Sequence, residues 1–320
     1  MDMIYLKNNN IMNYIRMARP DYWIKQVFLI PGMVLAFSLV PEVSANFLAN
    51  SIRALISVCL AASANYVINE WFDRGSDLYH PFKSSRPAAQ SAVSGRFVLI
   101  EYIFLVAVSI AVGWWISIPF TVSVGLLLIA GWMYNIPPVR FKDLPYFDIL
   151  SEAVNNSIRL LLGWLIVSSN SIPPVSMFLV FWFGGAFLMG MKRYAEYRTI
   201  VTHFDKESAG RYRKSFRYYD EKKILSFSLC MALMSAFGVG MFIVKYRPEL
   251  MLMFPFSAWL FMHYYRMSLE VESIAQSPEK LHKDKLLVFI LLVNAVAFFV
   301  LMSVDFPWVE AIVNSEIPSF

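Results

Sequence analysis

Nine apolar runs, each closed by a polar or charged stretch, limit what this chain can become; they lie near residues 24–40, 51–69, 96–115, 119–134, 148–168, 174–191, 224–244, 250–266 and 286–303. Runs of this kind match the roughly 20 apolar residues that a helix needs to cross a bilayer core. With 58% hydrophobic residues, 16% charged residues and a mean hydropathy of +0.53, the 320 residues hold too few polar side chains to clothe a soluble domain. The expected fold class is all-α, a polytopic membrane bundle of about nine transmembrane helices. One transmembrane domain over 24–305 is expected, between a segment 1–23 and a tail 306–320. Aromatic residues at 16% exclude disorder, and two cysteines inside apolar runs, Cys59 and Cys230, exclude a disulfide scaffold.

Charge placement orients the bundle. Counting loops alternately puts the N-terminus and segments 70–95, 135–147, 192–223 and 267–285 on one side, and 24 of the 28 Lys and Arg residues fall there. Arg53, Lys245 and Arg247 fall opposite, and Arg159 falls inside a span. The positive-inside rule makes the basic side cytoplasmic and the C-terminus exoplasmic. Residues 43–45 read as a signal-cleavage site, but Lys7, Arg16 and Arg19 lie in a long stretch before the first run, so a retained first helix is expected. A pI near 9.1 suits a nucleic-acid partner, yet the apolar runs leave no soluble basic face, so membrane lipids are the expected surroundings and no nucleic acid is expected. The opposite connections, such as 116–118 and 169–173, are too short to build a site. Chemistry is expected on the cytoplasmic side.

Asn65, Asn69, Asp73 and Asp77 recur every four residues at the end of the second run, which makes one polar stripe if the helix continues. Such groups are costly in lipid and by default mark a cavity or a functional path; an interhelix hydrogen-bond seam is the alternative. Two carboxylates and an amide offer hard oxygen ligands that suit Mg2+, an ion that takes one or two carboxylates and fills its octahedron with phosphate oxygens and water. Asp73, Asp77 and Asn69 are therefore the expected metal ligands, and a diphosphate is the expected substrate feature. Downstream, His80-Pro-Phe-Lys83-Ser-Ser-Arg86-Pro sets Lys83 and Arg86 beside the same phosphates, with attraction to anionic lipid as the alternative.

Asn69-x3-Asp73-x3-Asp77 resembles the first aspartate-rich motif of the UbiA superfamily of intramembrane prenyltransferases, and the nine-helix layout is similar too. Tyr134-Asn-Ile-Pro-Pro-Val-Arg140-Phe-Lys142 is similar to the family's tyrosine, prolines and basic pair, so the resemblance spans most of residues 20–305. It implies two four-helix repeats plus one helix, with Mg2+ as cofactor and the site at the repeat interface. Aromatic prenyltransferases of the family carry a second Asp-x3-Asp motif where this chain reads Lys192-Arg193-Tyr194-Ala195-Glu196. That segment, the run Arg213-Lys214-Ser-Phe-Arg217-Tyr-Tyr219 and the His80 stretch resemble the decaprenyl-phosphate phosphoribosyltransferase-like branch. In that branch 5-phosphoribosyl 1-diphosphate is the donor and a polyprenyl phosphate the acceptor, which implies a bacterial cytoplasmic membrane.

Charge favours the same branch. Phosphoribosyl transfer brings together a diphosphate, a 5-phosphate and a lipid phosphate, and Lys83, Arg86, Arg140, Lys142, Lys192, Arg193, Arg213, Lys214 and Arg217 all lie on loops or helix ends of the basic side. The resemblance implies that Asp73 and Asp77 act on the metal-bound diphosphate, that Lys192, Arg193 and Glu196 position donor and acceptor, and that Tyr134 and Tyr219 bind substrate. Two alternatives stand beside this reading: a prenyltransferase acting on an aromatic acceptor, and a transporter or lipid-binding protein. The oligomeric state is left open.

A further stripe, Asp148, Glu152, Asn155 or Asn156, and Arg159, follows helical spacing in the fifth run. Arg159 needs a partner inside the membrane, and Glu152 or Asp148 is expected to supply it, either as a structural pair or as a wall of the cavity that touches ribose or phosphate. Stretch 199–223 is expected to form a short amphipathic helix over the site, which would limit hydrolysis of the donor. His80, His203, His263 and His282 show no metal-ligand spacing.

Overall fold

A computed structural model describes residues 11–78, 83–276 and 278–309. Among them all regular structure is helical: α1 (Ile11–Ala18), α2 (Ile30–Leu39), α3 (Phe47–Asp77), α4 (Gly95–Trp114), α5 (Ile118–Asn135), α6 (Phe147–Val167), α7 (Val175–His203), α8 (Lys206–Tyr212), α9 (Glu221–Tyr246), α10 (Phe254–Ser268) and α11 (Lys285–Ser303), with short 3-10 turns such as Pro20–Leu29 between them. Every predicted run falls on a helix.

Among the described residues seven helical stretches are long and apolar enough to cross a membrane: Ile11–Leu39, α3, α4, α5, α7, α9 and α11. The expected count of nine is not established by this measure. Of the two remaining runs, α6 has the length but carries Glu152, Asn155, Asn156 and Arg159 through its middle. Helix α10 alone has 15 residues, which rise about 22 Å, and it reaches the length of a ~30 Å core only together with the 3-10 helix Pro248–Met253 that leads into it. Helix α3 errs the other way: its 31 residues span about 46 Å, so its last turns extend past the hydrocarbon and carry the polar stripe out with them. Large side chains left bare on α4 (Leu99, Ile103, Phe104) and α11 (Leu292, Val296, Phe299) suit contact with lipid rather than water.

The chain forms two compact units, Met1–Ile172 with Ile200–Tyr219, and Pro173–Thr199 with Asp220–Phe320. In the first, glycines let backbones meet. A Cβ on Gly32 would stand 2.0 Å from the Leu160 carbonyl oxygen, and one on Gly163 would stand 2.0 Å from that of Leu29. The segment leading into α2 therefore lies directly on α6, an approach only small residues permit. Neither oxygen belongs to a side chain that can swing away. Gly163→Ala is expected to cost at least about 1–3 kcal/mol of overpacking and to lower the thermal midpoint in detergent, while Gly125→Ala, where nothing lies within 4 Å, leaves it unchanged.

The second unit uses small and polar residues in the same manner. Gly190 on α7 faces Ser228 on α9, and Gly238 on α9 faces Val180 and the Ser176 carbonyl on α7. Asn294 on α11 donates to the Phe256 carbonyl of α10 at 3.1 Å and accepts from Ser257 at 3.3 Å. His263 pairs with Asp284 at 3.0 Å, a structural role, and Asp284 caps α11 by accepting from the Leu287 amide at 2.9 Å.

Candidate functional site

Helix α3 runs unbroken through Asn65, Asn69, Asp73 and Asp77, but the four side chains part company across its neighbours. Asn65 donates to the Leu127 carbonyl at 3.0 Å, where a Cβ on Gly131 would strike its amide at 2.1 Å. This is the seam alternative, and it removes Asn65 from the site. Asn69 donates to Asn135 Oδ1 at 2.6 Å, and the same oxygen accepts from Lys142 Nζ at 3.0 Å. Asn135, buried at the end of α5, thus joins the metal-ligand candidate to the basic motif. The sequence reading overlooked it, although it stands beside Tyr134 in the Tyr-Asn-Ile-Pro-Pro motif.

Both expected carboxylates are paired with the expected cations. Asp73 Oδ1 takes Lys142 Nζ at 2.5 Å and Arg140 Nη2 at 3.1 Å, and Asp77 takes Arg86 Nη1 at 2.7 Å. Arg140 also binds Asp143 at 3.2 Å and the Asn135 carbonyl at 3.1 Å. Its backbone is left-handed, at φ 33° and ψ 62°, a conformation that an L side chain adopts at a cost and that here aims the guanidinium back at α3. Lys142 is buried, and burial pushes its ammonium down to about 8 against the pull of Asp73. An open cleft of about 520 Å³ beside this cluster is lined by Trp71, Phe72, Arg74, Gly75, Pro137, Arg140 and Lys214. Three of its seven lining residues are cations and none is acidic, so it suits an anion.

Of the stretch 199–223, residues 200–219 belong to the first unit. Asp205 caps α8 by accepting from the Ser208 amide at 2.6 Å, and Asp220 caps α9 in the same way at 2.8 Å, so the piece between them has fixed ends. Its middle is fastened to Asp148, a fully buried carboxylate that accepts from Tyr219 OH at 2.6 Å and Ser215 Oγ at 3.0 Å and faces Arg213 at 3.6 Å. Tyr219 OH also accepts from the Tyr146 amide at 2.6 Å. Tyr219, expected to bind substrate, is buried and occupied in this fastening. Tyr134 donates to Glu152 at 3.0 Å and accepts from Arg213 at 3.4 Å, and exposed Lys214 reaches Asp143 at 2.9 Å.

Arg159 meets neither expected carboxylate; its Nε donates to Gln26 Oε1 at 3.0 Å, a partner supplied by the glycine crossing. Lys192, Arg193 and Glu196 lie on α7 in the second unit, where buried Arg193 and Glu196 pair at 2.9 Å. Lys83 begins a short 3-10 turn, and His80 lies outside the described residues.

Whether this donor set fits Mg2+ is a question of chemistry. Among the described residues no three His, Cys, Asp or Glu side chains gather as a metal cage. Asp73 and Asp77 with the Asn69 amide instead supply two carboxylates, and both cations on Asp73 use Oδ1, which leaves Oδ2 for an ion. The set fits Mg2+ that arrives with phosphate oxygens as its remaining ligands.

Taken together, these features define a polytopic helical membrane protein with paired carboxylates and cations gathered at the ends of α3 and α5. Residues 27–283 match the UbiA prenyltransferase family, and the chain belongs to that family. It is 27% identical over 213 residues to decaprenyl-phosphate phosphoribosyltransferase of Mycolicibacterium smegmatis, covering 66% of this chain and 64% of that protein. The same identity over 213 residues relates it to decaprenyl-phosphate phosphoribosyltransferase of Corynebacterium glutamicum, covering 64% of this chain and 59% of the relative. The chain thus spans less than two thirds of either protein. A UbiA homolog from Archaeoglobus fulgidus bound to DMAPP and Mg2+ superposes with a TM-score of 0.68 at 20% identity, over 92% of this chain and 100% of that one, which establishes a shared fold.

Proposed function

We propose that the protein transfers 5-phosphoribose from 5-phosphoribosyl 1-diphosphate to a polyprenyl phosphate, giving polyprenyl-phosphoryl 5-phosphoribose and diphosphate. The reaction runs in one transmembrane domain, 24–305, at the cytoplasmic face of a bacterial inner membrane. One observation favours this over prenyl transfer to an aromatic ring. At the position of the second aspartate-rich motif the sole carboxylate, Glu196, is engaged by Arg193 inside α7, and Lys192 precedes them. That helix offers no second carboxylate pair for an allylic diphosphate. The named relatives support the same choice, and the Mg2+-bound neighbour supports the metal.

Mg2+, held by Asp73 and Asp77 with Asn69, would neutralise the leaving diphosphate. Arg86, Arg140 and Lys142 keep the two carboxylates in place beforehand and share their charge with the phosphates once these bind. A lipid phosphate oxygen attacks C1 from the face opposite the diphosphate; the C1–O bond breaks with inversion and its electron pair leaves with the diphosphate. No base is needed, because a phosphate monoester with a second pKa near ~6 is already ionised at neutral pH. The segment between Asp205 and Asp220 keeps water from the donor.

Diphosphate release by the purified protein separates the readings. Release is expected only when Mg2+, phosphoribosyl diphosphate and polyprenyl phosphate are all present. Release from a prenyl diphosphate with a phenolic acceptor, and none from phosphoribosyl diphosphate, would replace the reading with aromatic prenylation.

A further inference from the structure

Beyond the carboxylate cluster, α6 carries a guanidinium whose hydrogen-bonding capacity is largely unspent. Arg159, half-buried, donates its Nε to Gln26, and its Nη1 and Nη2 bond no protein acceptor among the described residues. Gln26 is 2% exposed, and its own Nε2 donor also lacks an acceptor. Of the nearby carboxylates, Asp148 holds Ser215, Tyr219 and Arg213, while Glu152 accepts from Tyr134 and acts on Arg159 through space without forming an ion pair with it. A planar two-nitrogen fork beside an amide N–H, all donors and no acceptor, is matched by an anion with several oxygens.

The surroundings narrow the class of that anion. The residues flanking it on α6, Ile158 and Leu160, are apolar and buried, and the titratable groups that act on it are Tyr66 and Cys59 of α3 and Glu152 of its own helix. Arg159 lies seven residues beyond Glu152, about 10 Å further along α6 than the level at which Tyr134 meets Arg213. A soluble phosphate would have to leave water to reach it, whereas an amphiphile brings its own apolar tail. The fork is also held still, because Gln26 is fixed against α6 by the Gly32 and Gly163 crossing. We propose that Arg159 and Gln26 form an intramembrane phosphate subsite that holds the phosphate head of the acceptor lipid. This deepens the proposed reaction and rests on it for the identity of the acceptor, but not for the existence of the subsite.

The test uses the full chain in detergent with undecaprenyl phosphate, undecaprenol and inorganic phosphate as probes, read by quenching of tryptophan fluorescence. The unaltered protein is expected to bind undecaprenyl phosphate at least about tenfold more tightly than undecaprenol. Arg159→Met should erase that preference and Gln26→Met should reduce it severalfold, with binding of Mg2+-diphosphate unchanged in both. If Arg159→Met does not fold, Gln26→Met and Arg159→Lys, which keeps the charge and loses the fork, carry the test. A preference that survives in these variants overturns the subsite, and inorganic phosphate binding as tightly as the lipid overturns the lipid assignment. Loss of the preference in a protein that transfers no phosphoribose leaves the subsite standing and removes the proposed reaction. Transfer with the preference intact in the variants does the reverse.

Discussion

Asp73→Asn is expected to lower phosphoribosyl transfer by about a thousandfold, the scale on which a preorganised charge at a departing group acts. The side chain keeps its size, so the loss reports charge. Two effects follow from that charge, and they can be separated. Asp73 Oδ1 is shared by Arg140 and by Lys142, whose side chain is 5% exposed. Removing the carboxylate strands that ammonium, and breaking a buried pair from one side costs about 3–5 kcal/mol. The thermal midpoint should therefore fall along with activity. Pairing Asp73→Asn with Lys142→Met removes the stranded charge, so stability should return while transfer stays absent. Recovery of transfer in the double variant would mean that Asp73 serves only to neutralise Lys142.

The second large effect is expected at Asp148→Ala. The carboxylate is fully buried and is the common acceptor for Ser215, Tyr219 and Arg213, so truncation leaves two hydroxyls and a guanidinium facing the space it filled. By the same reasoning about 3–5 kcal/mol is at stake, and much of it falls on the segment between α8 and α9. Tyr219→Phe removes one donor and one acceptor and should cost less, about 1–3 kcal/mol. Hydrogen exchange checks both: amides of residues 206–219 should lose protection strongly in Asp148→Ala and partly in Tyr219→Phe, with α4 unaffected. Unchanged exchange in Asp148→Ala would show that the segment is held by other contacts.

What could be read from the sequence was local. Apolar runs of spanning length fall on helices, and the four-residue spacing of Asn69, Asp73 and Asp77 means what it says because i and i+4 adjacency is a property of the helix itself. The sequence points the cations near α3 and α5 at phosphates and the carboxylates at a metal, whereas in the structure Arg140 and Lys142 pair with Asp73, and Arg86 with Asp77, directly. Specific partners were not legible, because they depend on where helices cross. Gln26 and Arg159 are 133 residues apart and meet only because Gly32 and Gly163 admit a backbone approach. Asn65 belongs to the same stripe as Asn69, yet Gly131 turns it into a packing residue. Asn135 joins two motifs that the sequence shows separately, and only the fold brings Asn69 and Lys142 to it. Tyr219 looks like a substrate contact in a basic-aromatic run, but burial against Asp148 makes it part of the fastening.

Incubating the purified chain with Mg2+, phosphoribosyl diphosphate labelled in the ribose, and a polyprenyl phosphate, then counting label in the organic phase, tests the proposed transfer itself. Label that partitions with the lipid, and is lost in Asp73→Asn, is the predicted result. Label that stays in water while the same preparation alkylates a phenolic acceptor from a prenyl diphosphate would contradict it.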